Sequence, residues 1–234
     1  MITALFIGWT DPVTKQWFPI RKMSLTAAGY HTCYVNGVFQ AIDVSPNMRL
    51  LFEKGLIKPD EVKISQDIPA IFAQRMPIAR PEDAQELEFF GLPRYPVNPI
   101  AYASRSGGYS NTDGYDLFPE ITADPTGDYH FYFLARNLTK SETSIHKYID
   151  TLSVGMVLEF DWNGCLTHGN TVLGKLPGYL VDVVRCDLPI DVEIAKINSK
   201  VGCNYYHLLC HATVRLKPFT ETKYQLALET VLAT

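Results

Sequence analysis

The sequence predicts an α+β protein in two parts. Residues 1–122 read as a small sheet with helices, and residues 123–234 read as a β-dominated region with two short helices, the inventory of a small barrel. Three observations lead there. Aromatic residues make up 12% of the chain, with 13 Tyr and 12 Phe, which favours strands. Short extended runs alternate with Gly/Pro/Asp turns. The pattern then changes after the turn cluster Ala123-Asp124-Pro125-Thr126-Gly127, where strands outnumber helices.

Taken in order, 2–9 and 16–20 read as two strands joined by the turn Thr10-Asp11-Pro12, and 29–35 (GYHTCYV) as a third. Helices are expected at 47–54, after Ser45-Pro46 and before Gly55, at 67–74, and at 82–90 behind Pro81 and ahead of Gly91. Asn98-Pro99 opens a short helix that runs into SRSGGYSNTDGYDLFP (104–119), followed by an extended run at 115–118. In the second part, strands are expected at 129–134, 157–161, 172–176, 191–197 and 205–216. Ser141 caps a helix with Ile145, Tyr148, Ile149 and Leu152 on one face, and a second short helix covers 178–185.

Composition narrows the function. An apolar fraction of 47% and a charged fraction of 20% are those of an ordinary globular chain. No apolar run approaches the roughly 18 residues of a membrane span. The start MITALFIGWTDP lacks a basic segment before its apolar run, so a strand is expected there rather than a signal peptide. The five cysteines, Cys33, Cys165, Cys186, Cys203 and Cys210, follow no framework spacing, and reduced thiols in the cytoplasm are expected. Residues 1–120 hold 11 basic and 13 acidic side chains, and 121–234 hold 10 and 12. Neither half is the basic domain that tight, sequence-blind nucleic-acid binding requires.

The glycine-rich stretch 104–119 is not a phosphate loop. Such a loop follows a strand and opens a helix, whereas here a helix precedes Gly107-Gly108 and a strand follows. A helix end turning into a strand is expected, and 104–127 as a whole is read as a surface connection between the two parts. Cys203, His207, Cys210 and His211 invite a zinc reading. On a straight strand, however, His207 and His211 stand about 13 Å apart, too far for one ion. Cys210 shares its face with Leu208, Ala212 and Val214, so it reads as a core thiol. With no G-x-S-x-G elbow, catalytic Cys motif or H-E-x-x-H, no enzyme, metal or cofactor is expected.

The succession WTDPVTKQWFPI (9–20), GYHTCYV (29–35), IFAQRMPIARP (71–81), SRSGGYSNTDGYDLFPE (104–120) and LGKLPGYLVDVV (173–184) resembles bacterial stand-alone HIRAN-domain proteins. Gly174-Lys175-Leu176-Pro177 stands where that family has its G-Y-[aliphatic]-P signature, and 195–214 is similar to its last two strands. The resemblance implies an OB-like HIRAN β-barrel over 123–234 that holds the 3′ end of single-stranded DNA. Gly29, His31, Cys33 and Tyr34, then Phe72 and Arg75, are loosely similar to the first subdomain of HipA-type kinases, with no kinase core following.

End recognition needs a ring to stack on a base and polar groups for sugar and phosphate. Where the family carries an Arg-aromatic pair, this chain has Asn137-Leu138-Thr139-Lys140. Where it carries Asn-Pro-x-Asp-x-Asn, this chain has Asp161-Trp162-Asn163-Gly164-Cys165, running to His168-Gly169-Asn170. The candidate nucleic-acid-binding residues are therefore Arg136, Lys140, Trp162, Asn163, Asn170, Lys175 and Tyr179. Trp162 would stack, and Lys140 and Lys175 would meet phosphates. Two functions follow: a non-enzymatic module that binds DNA ends or single strands at damaged or foreign DNA, or a protein–protein regulator of a HipA-like kinase.

Overall fold

The computed structural model describes residues 4–75, 83–93, 98–108, 114–119, 124–135, 148–185, 189–197 and 208–215. It is a mixed α+β fold with two antiparallel sheets and few helices. The described residues divide into two compact units. One takes those up to Ala84 and from Pro93 to Pro119; the other takes Gln85–Leu92 and those from Asp124 to Arg215. No described helix is long and apolar enough to cross a membrane.

The first unit is built on β1 (Ala4–Thr10), β2 (Trp17–Thr26), β3 (Gly29–Tyr34), β4 (Lys63–Ser65) and β5 (Tyr115–Pro119), ordered β4-β3-β2-β1-β5. The opening hairpin turns where Thr10-Asp11-Pro12 predicts, with Thr10 facing Trp17. Leu5, Ile7 and Trp9 alternate onto one face of β1 and join Phe18, Ile20 and Met23 of β2 in the core. Helices α1 (Gly37–Val44), α2 (Pro46–Glu53), α3 (Ala70–Ala73) and α5 (Pro99–Ser106) add Val38, Ala41, Met48, Phe72, Ile100 and Ala103 to the same core.

Local signals set these helix ends. The Ser45 hydroxyl accepts from Met48 N at 3.3 Å, with Pro46 in the first turn of α2. Asn98 caps α5 by accepting from Ile100 N and Ala101 N at 3.0 and 3.2 Å. Helix α5 ends at Gly107, whose φ of 70° is the left-handed region that glycine enters freely. Leu117 N then donates to Gly107 O at 2.8 Å, joining the helix end to β5. SRSGG is thus a helix C-terminus that gives way to a strand, as its residue order predicts. The expectation that 104–127 is a surface connection fails: β5 pairs with β1, and Leu117 and Phe118 are buried because they complete the core sheet of the first unit.

Three elements differ from expectation. The helix foreseen at 67–74 shrinks to α3, because Pro69 stands immediately before it and a strand, β4, occupies 63–65. Helix α1 was not foreseen: it starts on a glycine and no side chain caps it. Gly37 is required there because a Cβ would lie 1.9 Å from Pro19 O.

The second unit contains α4 (Asp83–Phe89) from Gln85 onward, β6 (Asp128–Leu134), β7 (Val157–Phe160), β8 (Cys165–His168), β9 (Thr171–Lys175), α6 (Gly178–Arg185), β10 (Ile190–Ile197) and β11 (Leu208–Arg215). Its strands run β6-β11-β10-β7-β8-β9. The expected closed barrel is not found: among the described residues β6 and β9 form open edges of one sheet. Strand β8, between Gly164 and Gly169, completes a β7–β8–β9 meander that the sequence pattern missed. Phe131, Phe133, Leu158, Leu166, Leu173, Leu180, Val183, Val192, Ile194, Leu208, Cys210, Ala212 and Val214 are all buried. Of the helix expected after Ser141, only Tyr148 and Ile149 are described as helical, and Ile149 and Leu152 are buried as their spacing predicts. The rest of that helix lies outside the described residues.

Candidate functional site

The turn between β7 and β8 is ordered by one carboxylate. Asp161 Oδ1 accepts from Asn163 N at 2.9 Å and from Cys165 N at 2.8 Å, and Gly164 N donates to Asp161 O at 2.9 Å. This is Asx-turn chemistry, which lets a short polar side chain hold its own following backbone. Gly164 has φ 74°, and a Cβ there would lie 2.6 Å from Val181 of α6. The turn is therefore pressed onto that helix, and Leu176 N donates to Gly164 O at 2.8 Å.

Trp162 sits at the tip of this turn with 60% of its surface exposed. An indole with no core to fill, carried on a braced turn, is an available stacking surface. Asn163, beside it, is also exposed. Lys175 is exposed on β9 directly across from Cys165, at the same end of the meander. These three expected site residues lie at the same end of the β7–β8–β9 meander.

The others do not join them. Asn170 is exposed in the β8–β9 turn, at the far end of β8, about 10 Å along a four-residue strand. Tyr179 corrects the expectation of a ligand contact: it is 7% exposed, and its ring lies 5.7 Å from that of Phe131. Its position on α6 faces the core. Arg136 and Lys140 lie outside the described residues.

A second group of polar side chains crosses the outer face of β6, β11 and β10. His130 Nε2 is 3.0 Å from Asp124 Oδ2, His130 Nδ1 is 3.2 Å from His211 Nε2, and His211 Nδ1 is 3.0 Å from Glu193 Oε1. Tyr132 stacks on His211 with ring centroids 4.7 Å apart. Hydrogen bonds from Thr126 and His130 hold the Asp124 carboxyl well below the usual carboxylate range. Sequence reasoning missed this group. Alternation does place His130 and Tyr132 on one face of β6, but only the register, with Tyr132 opposite His211 and His130 opposite Thr213, brings the imidazoles together.

Cys210 points the other way, as the alternation predicts. It is fully buried, and burial pushes its thiol up to about 12, so it is neither a ready nucleophile nor a ligand. Among the described residues no group of three or more His, Cys, Asp and Glu side chains is arranged around a metal position. Comparison of the chain with protein-family models, with curated proteins and with solved structures finds no match.

Proposed function

We propose that the chain is a non-enzymatic module that binds DNA ends or single-stranded DNA through the β7–β8–β9 meander. The observation that carries this reading is the exposed Trp162 on the turn braced by Asp161. A base stacks on the indole, Asn163 offers polar contacts to sugar or base edge, and Lys175 meets a phosphate. The net charge of −4 makes such binding local and modest rather than sequence-blind and tight. In this reading the second unit is an OB-like, HIRAN-like domain acting in the cytoplasm, and the likeness of its sequence to that family supports a preference for a free 3′ end.

The test is fluorescence anisotropy with labelled single strands carrying free or blocked 3′ ends, at two salt concentrations. Tighter binding of the free end, weakening as salt rises, supports the reading. Equal, feeble binding of every oligonucleotide contradicts it.

A second reading, a protein–protein regulator of a HipA-like kinase, has its own observation. Phe39, Val44, Leu50, Leu51, Phe52 and Leu56 are exposed apolar side chains on α1, on α2 and just after it. Several exposed apolar side chains on two neighbouring helices support a partner surface more than a single exposed residue does. Leu50→Asp combined with Phe52→Asp would abolish association with such a kinase and leave oligonucleotide binding unchanged.

A further inference from the structure

On the outer face of β6, β11 and β10, Asp124, His130, His211 and Glu193 form a line. The outer nitrogens, His130 Nε2 and His211 Nδ1, each lie 3.0 Å from a carboxylate oxygen. An ionised carboxylate only accepts hydrogen bonds, so each outer nitrogen carries its ring's proton. When each ring carries a single proton, a lone pair remains on His130 Nδ1 and another on His211 Nε2, and these nitrogens face each other at 3.2 Å. Two lone pairs at that separation repel. A shared proton or a metal ion between them relieves that repulsion.

We propose that His130 and His211 form a two-imidazole site for one divalent transition-metal ion of the zinc, copper or nickel class. A tetrahedral ion bound at 2.0–2.1 Å from two nitrogens holds them about 3.3 Å apart. The observed 3.2 Å is close to that bite, with the two rings nearly parallel and their centroids 5.2 Å apart. Imidazole nitrogen is a preferred donor for these metals. A carboxylate on the far nitrogen of each ring fixes its tautomer and raises its basicity, the arrangement in which metal-binding histidines are usually held. Tyr132 stacked on His211 fixes that ring from one side.

The remaining coordination positions belong to water and to the Thr213 hydroxyl, 3.4 Å from His130 Nδ1. The side chains of His130 and Asp124 are 39% and 31% exposed, which leaves an ion a path from solvent. The site is distinct from the Trp162 turn and does not depend on DNA binding. The competing occupant is a single proton shared between the rings, and the experiment separates the two.

The full chain, stripped of metal, is dialysed at neutral pH against Zn²⁺, Ni²⁺ or Cu²⁺ alone, and bound metal is counted. Calorimetry in two buffers of different ionisation enthalpy measures proton release. One ion per chain is expected, with His130→Ala and His211→Ala each abolishing its binding. Asp124→Asn should weaken binding by about 10–100-fold through the orientation of His130. His130→Gln serves as a second variant, and circular dichroism checks that every variant is folded. Absence of binding by the wild type would overturn the proposal and leave the shared proton. Binding unchanged in both histidine variants would also overturn it, placing the ion elsewhere in the chain.

Discussion

Asp161→Ala removes the group that braces the Trp162 turn. Two backbone donors, Asn163 N at 2.9 Å and Cys165 N at 2.8 Å, lose their carboxylate acceptor. Each such bond contributes about 0.5–1.5 kcal/mol net. Because the turn is exposed, water replaces part of what is lost, and the expected cost is about 1–2 kcal/mol. Asp161→Asn keeps a side-chain oxygen and should recover at least half of it. Urea unfolding followed by circular dichroism reads both variants. Binding responds too: an indole no longer held in place must be ordered by the ligand, which costs about 0.5–1.5 kcal/mol, or roughly two- to tenfold in affinity. An Asp161→Ala protein as stable as the wild type, or an Asp161→Asn protein no better than the alanine variant, would refute the role given to this carboxylate.

Asp182 on α6 is pushed up to about 6 by burial, which outweighs the opposing pull of Arg185 at 3.6 Å. A carboxyl raised in the folded state contributes stability that is full below its unfolded value near 4 and is lost as pH rises through 6. Asp182→Asn should therefore flatten the stability profile between pH 4 and 6 and stabilise the protein at pH 7. With 43% of the side chain exposed, the discounted gain is about 1 kcal/mol; a variant that melts at or below the wild-type temperature at pH 7 would contradict this. Gly37→Ala places a Cβ 1.9 Å from the backbone oxygen of Pro19 and should destabilise by about 2–3 kcal/mol in denaturant titration. Neutrality at that position would mean that α1 does not lie so close to β2.

Legibility followed the range of the interaction. Ser45-Pro46 and Asn98-Pro99 announced their helices because capping acts within three residues, and Gly107 announced the end of α5 for the same reason. Cys210 was read as a core thiol from alternation alone. Helix α1 carries no side-chain cap, and β4 is three exposed residues that owe their form to pairing with β3, so neither left a local signal. The openness of the second sheet depends on strand order, which no single strand encodes. The candidate site divided in the same way. Trp162, Asn163 and Lys175 were reached through the family resemblance, as residue types standing at its motif positions. The burial of Tyr179 and the meeting of His130 with His211 follow from tertiary packing and cross-strand register, which the linear pattern does not contain.

The central claim rests on one indole, and Trp162→Ala tests it most directly. Trp162 is 60% exposed, so its removal should change unfolding stability by no more than about 0.5 kcal/mol. If a base stacks on it, affinity for a single strand with a free 3′ end should fall by about 1–3 kcal/mol, roughly five- to 150-fold. Anisotropy titration and a denaturant curve on the same preparation give both numbers. Unchanged affinity at unchanged stability would contradict the DNA-binding account and leave the apolar surface of α1 and α2 as the functional one.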